Sequence, residues 1–141
     1  MATEKLIVKD QIEINASNEK VWEVLTNPDF IKQWDDIPEN YSGGHLRLGS
    51  VIDWEGYSKL TVTEFEKPNR LKMNLFLPKV ELEATEYDAN YIYILTEKSG
   101  TTILGFEIGD YSKLPKAKDY YEASLEWVQI AKQKIKELSE H

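Results

Sequence analysis

Few side chains in this sequence of 141 residues have the types and spacing that catalysis requires. The histidines are His45, which follows two glycines, and His141, the last residue, so a Ser-His-Asp triad would have to use His45. The sequence has no Gly-x-Ser-x-Gly motif, no histidine pair at metal-ligand spacing, no Asp-rich calcium loop and no cysteine. It therefore predicts no catalytic residue, no metal site and no cofactor, and favours a protein that is not an enzyme.

Polar residues on faces that the sequence pattern turns inward are the remaining candidates for chemistry. They are Asp10, Glu64, Tyr91, Tyr93 and Ser124. A buried carboxylate without a partner costs several kcal/mol or takes up a proton. We therefore expect Asp10 and Glu64 to lie at the mouth of a cavity or to be paired, although each alone is more simply explained as a residue at a sheet edge.

The C-terminal segment, about residues 114–138, is predicted to be one amphipathic helix with Pro115 in its first turn. Its length of about 24 residues, or about 36 Å, requires a sheet to pack against. The apolar stripe mixes small and large residues: Ala117, Tyr121, Ser124, Val128, Ala131, Ile135 and Leu138, with Trp127 beside it. This mixture is compatible with ordinary packing and also suits one wall of a cavity.

The rest of the chain is predicted to begin β-α-α and to continue with about six short strands. The first strand covers residues 6–14, and the two short helices cover 18–26, capped by Ser17, and 29–34. The later strands are predicted at 45–48, 50–55, 59–66, 71–77, weakly at 80–90, and at 91–96 and 101–108. Short turns make consecutive strands antiparallel, so the sequence predicts an α+β fold in which a curved antiparallel sheet wraps around the C-terminal helix.

The last two strands are expected to form a hairpin. With Lys98 and Ser99 as the central turn residues, Tyr93 opposes Leu104 and Tyr91 opposes Phe106. That register places two tyrosines on the inward face of the sheet.

Length and charge restrict the class of protein. A chain of 141 residues is long enough for one domain, residues 1–141, with a sizeable core. Its 25 acidic and 17 basic side chains leave a net charge of -8, which argues against nucleic acid and against anionic membrane surfaces as partners. The sequence shows no signal peptide and no apolar run approaching about 18 residues, so no membrane insertion is expected. We expect a monomeric cytoplasmic protein.

Several motifs give the chain a family resemblance. Residues 12–28 read IEINASNEKVWEVLTNP, which is an apolar strand, a small residue, a polar cap, a Val-Trp pair and a final Leu-Thr-x-Pro. Trp34, the EFEKPNRL turn at 64–71 and the Gly-Thr-Thr at 100–102 follow. Over about residues 8–138 the chain resembles the family named after the activator of the heat-shock protein 90 ATPase, within the START and birch-pollen-allergen-like superfamily. Many relatives have a second aromatic residue after the equivalent of Trp34, where this chain has Asp35.

The resemblance implies the helix-grip fold, with a cavity between the long helix and the sheet that often holds an apolar small molecule. The leading hypothesis is therefore a non-enzymatic domain that binds an apolar or aromatic small molecule. The expected cavity residues are Trp127, Tyr121, Ser124, Tyr91, Tyr93, Leu75, Val62 and Leu104, with Asp10 and Glu64 as the acidic candidates. The pocket is expected to open between the long helix and the Gly43-Gly44 loop, with a tyrosine hydroxyl inside.

Two other hypotheses remain open. The resemblance also fits an interaction module that regulates a chaperone or another protein through its surface. An enzyme of the polyketide-cyclase type, known from the same superfamily, would need an acid or base near the ligand, and Asp10 or Glu64 would have to serve.

Overall fold

The computed structural model describes residues 5–141, which form a six-stranded sheet and four helices. In chain order the elements are β1 (Val8–Ile14), α1 (Asn18–Thr26), α2 (Pro28–Trp34), β2 (Val51–Trp54), β3 (Ser58–Glu66), β4 (Arg70–Phe76), α3 (Ala84–Tyr87), β5 (Asn90–Lys98), β6 (Thr101–Gly109) and α4 (Ala117–Glu140). The first helix has the predicted bounds, the first strand begins at Val8 rather than at residue 6, and the ends of the other matching elements shift by a few residues.

The strands follow the order β1-β6-β5-β4-β3-β2, and every neighbouring pair is antiparallel. α4 packs across β1 and β6 and against α1 and α2. The residues that it buries include Val128, Ala131 and Ile135, which share one face of the helix. The predicted α+β fold, a curved antiparallel sheet around a long C-terminal helix with two short helices after β1, is confirmed.

Side-chain caps fix the two short helices where the sequence predicts them. The Ser17 hydroxyl accepts a hydrogen bond from the Lys20 amide at 3.2 Å and so caps α1. Asn27 ends α1 and caps α2, because its side-chain oxygen accepts from the Asp29 amide at 3.0 Å. These caps let the chain turn twice within a few residues and place Trp34 under α4.

Residues 45–48 do not form a strand, so the prediction for this segment is wrong. The amide of Leu46 donates to the carbonyl of Thr26 at the end of α1, at 2.8 Å, instead of pairing with a neighbouring strand. Leu46 is buried there, so its apolar character serves packing against the helix rather than a sheet. Five strands, not about six, therefore follow the two short helices.

The strand predicted weakly at residues 80–90 is also wrong, because the segment forms turns and the single-turn α3. The Tyr87 hydroxyl accepts a hydrogen bond from the Leu77 amide at 2.8 Å and fixes the segment to the end of β4. Asp88 has a φ of 45°, outside the region that a strand allows, so the chain must bend before β5.

The predicted hairpin register is wrong by two residues. Ser99 and Gly100 both have positive φ, 54° and 80°, and are the central turn residues, so Lys98 pairs with Thr101. In consequence Tyr93 opposes Phe106 and Tyr91 opposes Ile108. A shift of two keeps each side chain on its predicted face, because the side-chain period of a strand is two.

The long helix begins later than predicted. Lys116 has a φ of 58° and provides no side-chain cap, so the first helical residue is Ala117 and Pro115 precedes the helix. The turns over residues 112–116 bring Tyr111 and Leu114 into the core, where both are buried. Within residues 5–141, no helix is both long enough and apolar enough to cross a membrane.

Candidate functional site

A cleft of about 360 Å³ opens where α4 passes the hairpin formed by β2 and β3. Its walls come from α4, from the segment after α2, from the β2–β3 hairpin and from the facing strands β4 and β5. The lining residues are Asp35, Asp36, Trp54, Tyr57, Ser58, Leu60, Leu75, Tyr91 and Trp127. Four of these nine are aromatic, two are aliphatic and two are acidic.

Trp127 is held in position by other aromatic rings. Its ring centroid lies 5.6 Å from that of Tyr91 in an edge-to-face arrangement and 6.1 Å from that of Trp34. Trp34 is itself fixed, because its Nε1 donates to the carbonyl of Val24 at 2.8 Å. The aromatic wall of the cleft is therefore preorganised by α1, α2 and β5 rather than left to a mobile loop.

The space behind this wall is almost filled. Only about 20 Å³ remains between the cleft and the core, next to Trp34, Met73 and Tyr93. That volume holds about one water molecule. The ring of Tyr93 stacks edge to face on Trp34 at 6.5 Å and on Phe106 at 5.6 Å, which closes the gap between the sheet and the helices. The larger space for a ligand is therefore at the mouth of the helix–sheet interface.

The carboxylate of Asp35 contacts the aromatic wall. The Nε1 of Trp127 donates to its Oδ1 at 3.3 Å. Burial raises the pKa of the Asp35 carboxyl above its ordinary value, and the hydrogen bonds from the Asp36 backbone and Trp127 offset only part of this effect. Burial also raises the pKa of the Tyr91 and Tyr93 hydroxyls well above the ordinary range, and the negative charge of Asp35 adds to it.

Three of the predicted cavity residues, Leu75, Tyr91 and Trp127, line the cleft together. Tyr93 lies behind them at the remnant of interior space. Val62 and Leu104 are buried in the core and do not reach the cleft.

Ser124 and Tyr121 lie elsewhere on α4. The Ser124 hydroxyl is 2.7 Å from that of Tyr111, and both residues are buried. Tyr111 therefore occupies the space that the small side chain of Ser124 leaves, and Ser124 does not border a cavity opposite Tyr91 and Tyr93. Tyr121 is half-buried and lies outside the lining of the cleft.

The two acidic candidates are paired and lie away from the cleft. Asp10 Oδ2 accepts from Lys132 Nζ at 3.0 Å and from Gln129 Nε2 at 2.8 Å. Burial alone would raise the pKa of Asp10, but the hydrogen bonds from Lys132, Gln129 and the Gln11 backbone lower it below its ordinary value. Glu64 lies 3.6 Å from both Arg70 and Lys72 and is partly exposed.

The mouth of the cleft is not where the sequence placed it. The cleft opens beside Trp54, Tyr57 and Ser58, whereas the Gly43-Gly44 loop lines separate polar depressions nearer to residues 47–51 and 27–29. The sequence reasoning missed the rim residues and the acidic pair Asp35-Asp36. The one signal that could have found them is the charged pair directly after Trp34, where an aromatic-rich segment turns polar. In the part of the chain that the structure describes, no group of three or more acidic or histidine side chains is arranged to hold a metal ion.

Comparison with known proteins gives a family and a fold. Residues 15–140 match the family described as "Activator of Hsp90 ATPase homolog 1-like protein". No curated protein sequence matches the chain.

Solved structures with this fold come from several organisms. A protein from Mesorhizobium loti is 23% identical with a TM-score of 0.71, over 94% of this chain and 95% of that one. The Aha1 dimer from Colwellia psychrerythraea is 18% identical with a TM-score of 0.70, over 95% and 96% of the two chains. An HSP90 activator from Plasmodium falciparum is 13% identical with a TM-score of 0.68, over 92% of each chain.

Proposed function

Since the chain belongs to the family of Activator of Hsp90 ATPase homolog 1-like proteins, which shares the helix-grip fold, we propose that it binds an apolar or aromatic small molecule at the mouth of its helix–sheet interface. The observation that carries this proposal is the cleft of about 360 Å³ with an aromatic and aliphatic wall. Small-molecule sites are concave and mostly apolar, with a few polar groups that fix orientation.

Each wall of the cleft has a distinct role in this proposal. Trp127 and Tyr91 offer ring faces and edges that are already fixed by packing, so little conformational entropy is lost when a ligand binds. Leu60 and Leu75 are the aliphatic residues of the lining, and Tyr57 at the hairpin turn is largely exposed. A flat aromatic ligand between the hairpin and α4 would bury apolar surface on both of its faces.

The proposal is tested by adding a library of lipids and aromatic metabolites while the amide chemical shifts of the protein are recorded. We expect hits to shift the amides of Asp36, Tyr57 and Ser58 together with the indole N–H of Trp127. The polar depression at residues 47–51 is the internal control, because its amides should not move. Hits that move only that depression, or no hit at all, would contradict the proposal.

A regulatory role toward a chaperone is the second candidate, and the family description supports it. The surface that could serve it is the outer face of α4, where Ile130 is 59% exposed. The change Ile130→Gln should reduce retention of a chaperone in a pull-down while ligand binding at the cleft survives. Unchanged retention by this variant would count against this surface.

A cyclase-type reaction has less support. Asp10 and Glu64, the acids that it would have needed, are paired with cations outside the cleft. The carboxyls that do line the cleft are those of Asp35 and Asp36, and Asp35 accepts a hydrogen bond from Trp127.

A further inference from the structure

The cleft has an uneven charge. Its lining contains the carboxylates of Asp35 and Asp36 and, among the residues that the structure describes, no Lys, Arg or His side chain. Lys79 lies just outside the lining at the hairpin, with its Nζ on the ring of Tyr57, so the excess of negative charge is on the side of Asp35 and Asp36. Asp36 is exposed at the rim, whereas Asp35 is half-buried beside Trp127. Lys134 on α4 is the base whose charge acts on Asp35, and it does not line the cleft. The wall is therefore apolar and negative at one side, a poor environment for a carboxylate or phosphate group.

The aromatic part of the lining favours cations as well. The faces of tryptophan and tyrosine rings carry negative partial charge and attract an ammonium group within about 6 Å of the ring centroid. Trp54, Tyr57, Tyr91 and Trp127 surround the opening. The chain itself uses one of these rings in this way, because Lys79 Nζ lies 4.6 Å from the centroid of Tyr57.

We propose that the ligand of the cleft is an organic amine with an aromatic or apolar body, whose ammonium group is held by Asp36 and Asp35 while the body packs against Trp127 and Tyr91. This inference rests on the proposed function and narrows it to one class of compound. Asp36 supplies an accessible carboxylate at the rim, and Asp35 supplies a second carboxylate in a less polar environment, where a charge–charge interaction is stronger.

Three indoles of similar size and different charge test the proposal: tryptamine, which is a cation, 3-methylindole, which is neutral, and indole-3-propionate, which is an anion. Binding is measured by titration of the cleft amide signals. We expect tryptamine to bind about tenfold more tightly than 3-methylindole, with indole-3-propionate the weakest. Added salt should weaken the binding of tryptamine and leave that of 3-methylindole unchanged.

Charge-neutralising variants locate the effect. Asp36→Asn should reduce the affinity for tryptamine toward that for 3-methylindole without changing the latter. Asp53→Asn is the matched control, since Asp53 is an exposed carboxylate of β2 that lines the separate polar depression rather than the cleft. It removes the same charge from the hairpin that borders the cleft, and it should leave the affinity for tryptamine unchanged.

The outcomes separate the two proposals. If tryptamine and 3-methylindole bind the cleft with equal affinity, the inference that the ligand is an amine is wrong, while ligand binding at the cleft stands. The same holds if Asp36→Asn and Asp53→Asn change the affinity for tryptamine by the same factor. If none of the three indoles moves a cleft signal, both proposals are overturned.

Discussion

The indole Nε1 of Trp127 donates to the carboxylate Oδ1 of Asp35 at 3.3 Å, across 92 positions of sequence. This contact joins α4 to the segment after α2 at the rim of the cleft. It also keeps a carboxylate in a position where burial disfavours its charge. Titratable side chains whose pKa is perturbed by burial in a cleft are typical of functional sites.

The first prediction concerns the stability cost of Asp35. Its folded pKa is raised, so the native state binds a proton more readily than the unfolded chain, and stability falls as the pH rises through the folded pKa. Asp35→Asn removes the charge and keeps an oxygen that can accept from Trp127. We expect urea denaturation at neutral pH to give a higher free energy of unfolding for this variant.

The pH dependence gives the control for this prediction. The gain in free energy of unfolding should vanish below the pKa of Asp35 in the unfolded chain, because the carboxyl is then protonated in both the folded and the unfolded state. Asp36→Asn removes an exposed charge next to it and should change stability less. A loss of stability in Asp35→Asn at neutral pH would show that the charge stabilises the fold.

The second prediction concerns the packing of Ser124, which is 7% exposed and meets the Tyr111 hydroxyl at 2.7 Å. Ser124→Phe should destabilise the protein by about 3 kcal/mol or more, because a ring has no space beside Tyr111. Ser124→Ala should cost about 1–2 kcal/mol, since it leaves a buried hydroxyl without its partner. The measurement is again the free energy of unfolding in urea.

The coupling energy between Ser124 and Tyr111 shows whether their hydrogen bond accounts for the lost stability. In a double-mutant cycle, Ser124→Ala and Tyr111→Phe together should cost less than the sum of the two single changes. If Ser124→Phe folds with wild-type stability, a void borders Ser124 and the packing described for it is incorrect.

The third prediction tests the buried face of α4. Val128 is 0% exposed, so Val128→Ala should cost about 1–3 kcal/mol through lost packing. Ile130 on the same helix is 59% exposed, and Ile130→Ala should change stability by no more than about 0.5 kcal/mol. Equal effects of the two changes on the thermal midpoint would mean that the faces of the helix are assigned incorrectly.

The fourth prediction concerns acid stability through Asp10, which joins β1 to α4 by accepting from Lys132 and Gln129. The pKa of the Asp10 carboxyl is lower in the folded protein than in the unfolded chain. The stability that the ionised carboxylate contributes is therefore present above the unfolded pKa and is lost as the pH falls through the folded pKa. Asp10→Asn should cost about 1 kcal/mol at neutral pH and nothing at strongly acidic pH.

An exposed ion pair between β1 and β6 provides the control. Glu107 is 3.7 Å from Lys9 on the outer surface, and Glu107→Gln should have an effect near zero at either pH. If Asp10→Asn also lowered the free energy of unfolding at acidic pH, Asp10 would stabilise the protein through its shape and not through its charge.

The sequence predicts the features of the fold that depend on local interactions. Alternation places Val8 and Ile14 inward, and the Ser17 cap is a contact between residues three apart. The hairpin register needed the φ values of Ser99 and Gly100, which a Lys-Ser-Gly string leaves open. Residues 45–48 have strand-like composition, but their partner is the end of α1, a contact that no local pattern reveals.

The site was harder to predict, because its members come from five separate parts of the chain. Tyr57 and Asp36 lie outside the regular elements, where no periodicity assigns a direction. Ser124 was placed on the correct face of α4, but its partner depends on how Tyr111 folds back before the helix. The sequence does place Leu75, Tyr91 and Trp127 inward, where they line the cleft, because each lies in a regular element.

The most direct test of ligand binding at the cleft is to fill it. Ser58 is half-buried at the start of β3 and lines the cleft, so Ser58→Trp should occupy the space between the hairpin and α4. Thr63→Trp adds the same side chain to an exposed position of the same strand outside the cleft and is the matched control. The measurement is the dissociation constant of 3-methylindole, followed by the indole N–H signal of Trp127. We predict that Ser58→Trp abolishes binding while Thr63→Trp leaves it unchanged; wild-type affinity in a folded Ser58→Trp variant would contradict the account.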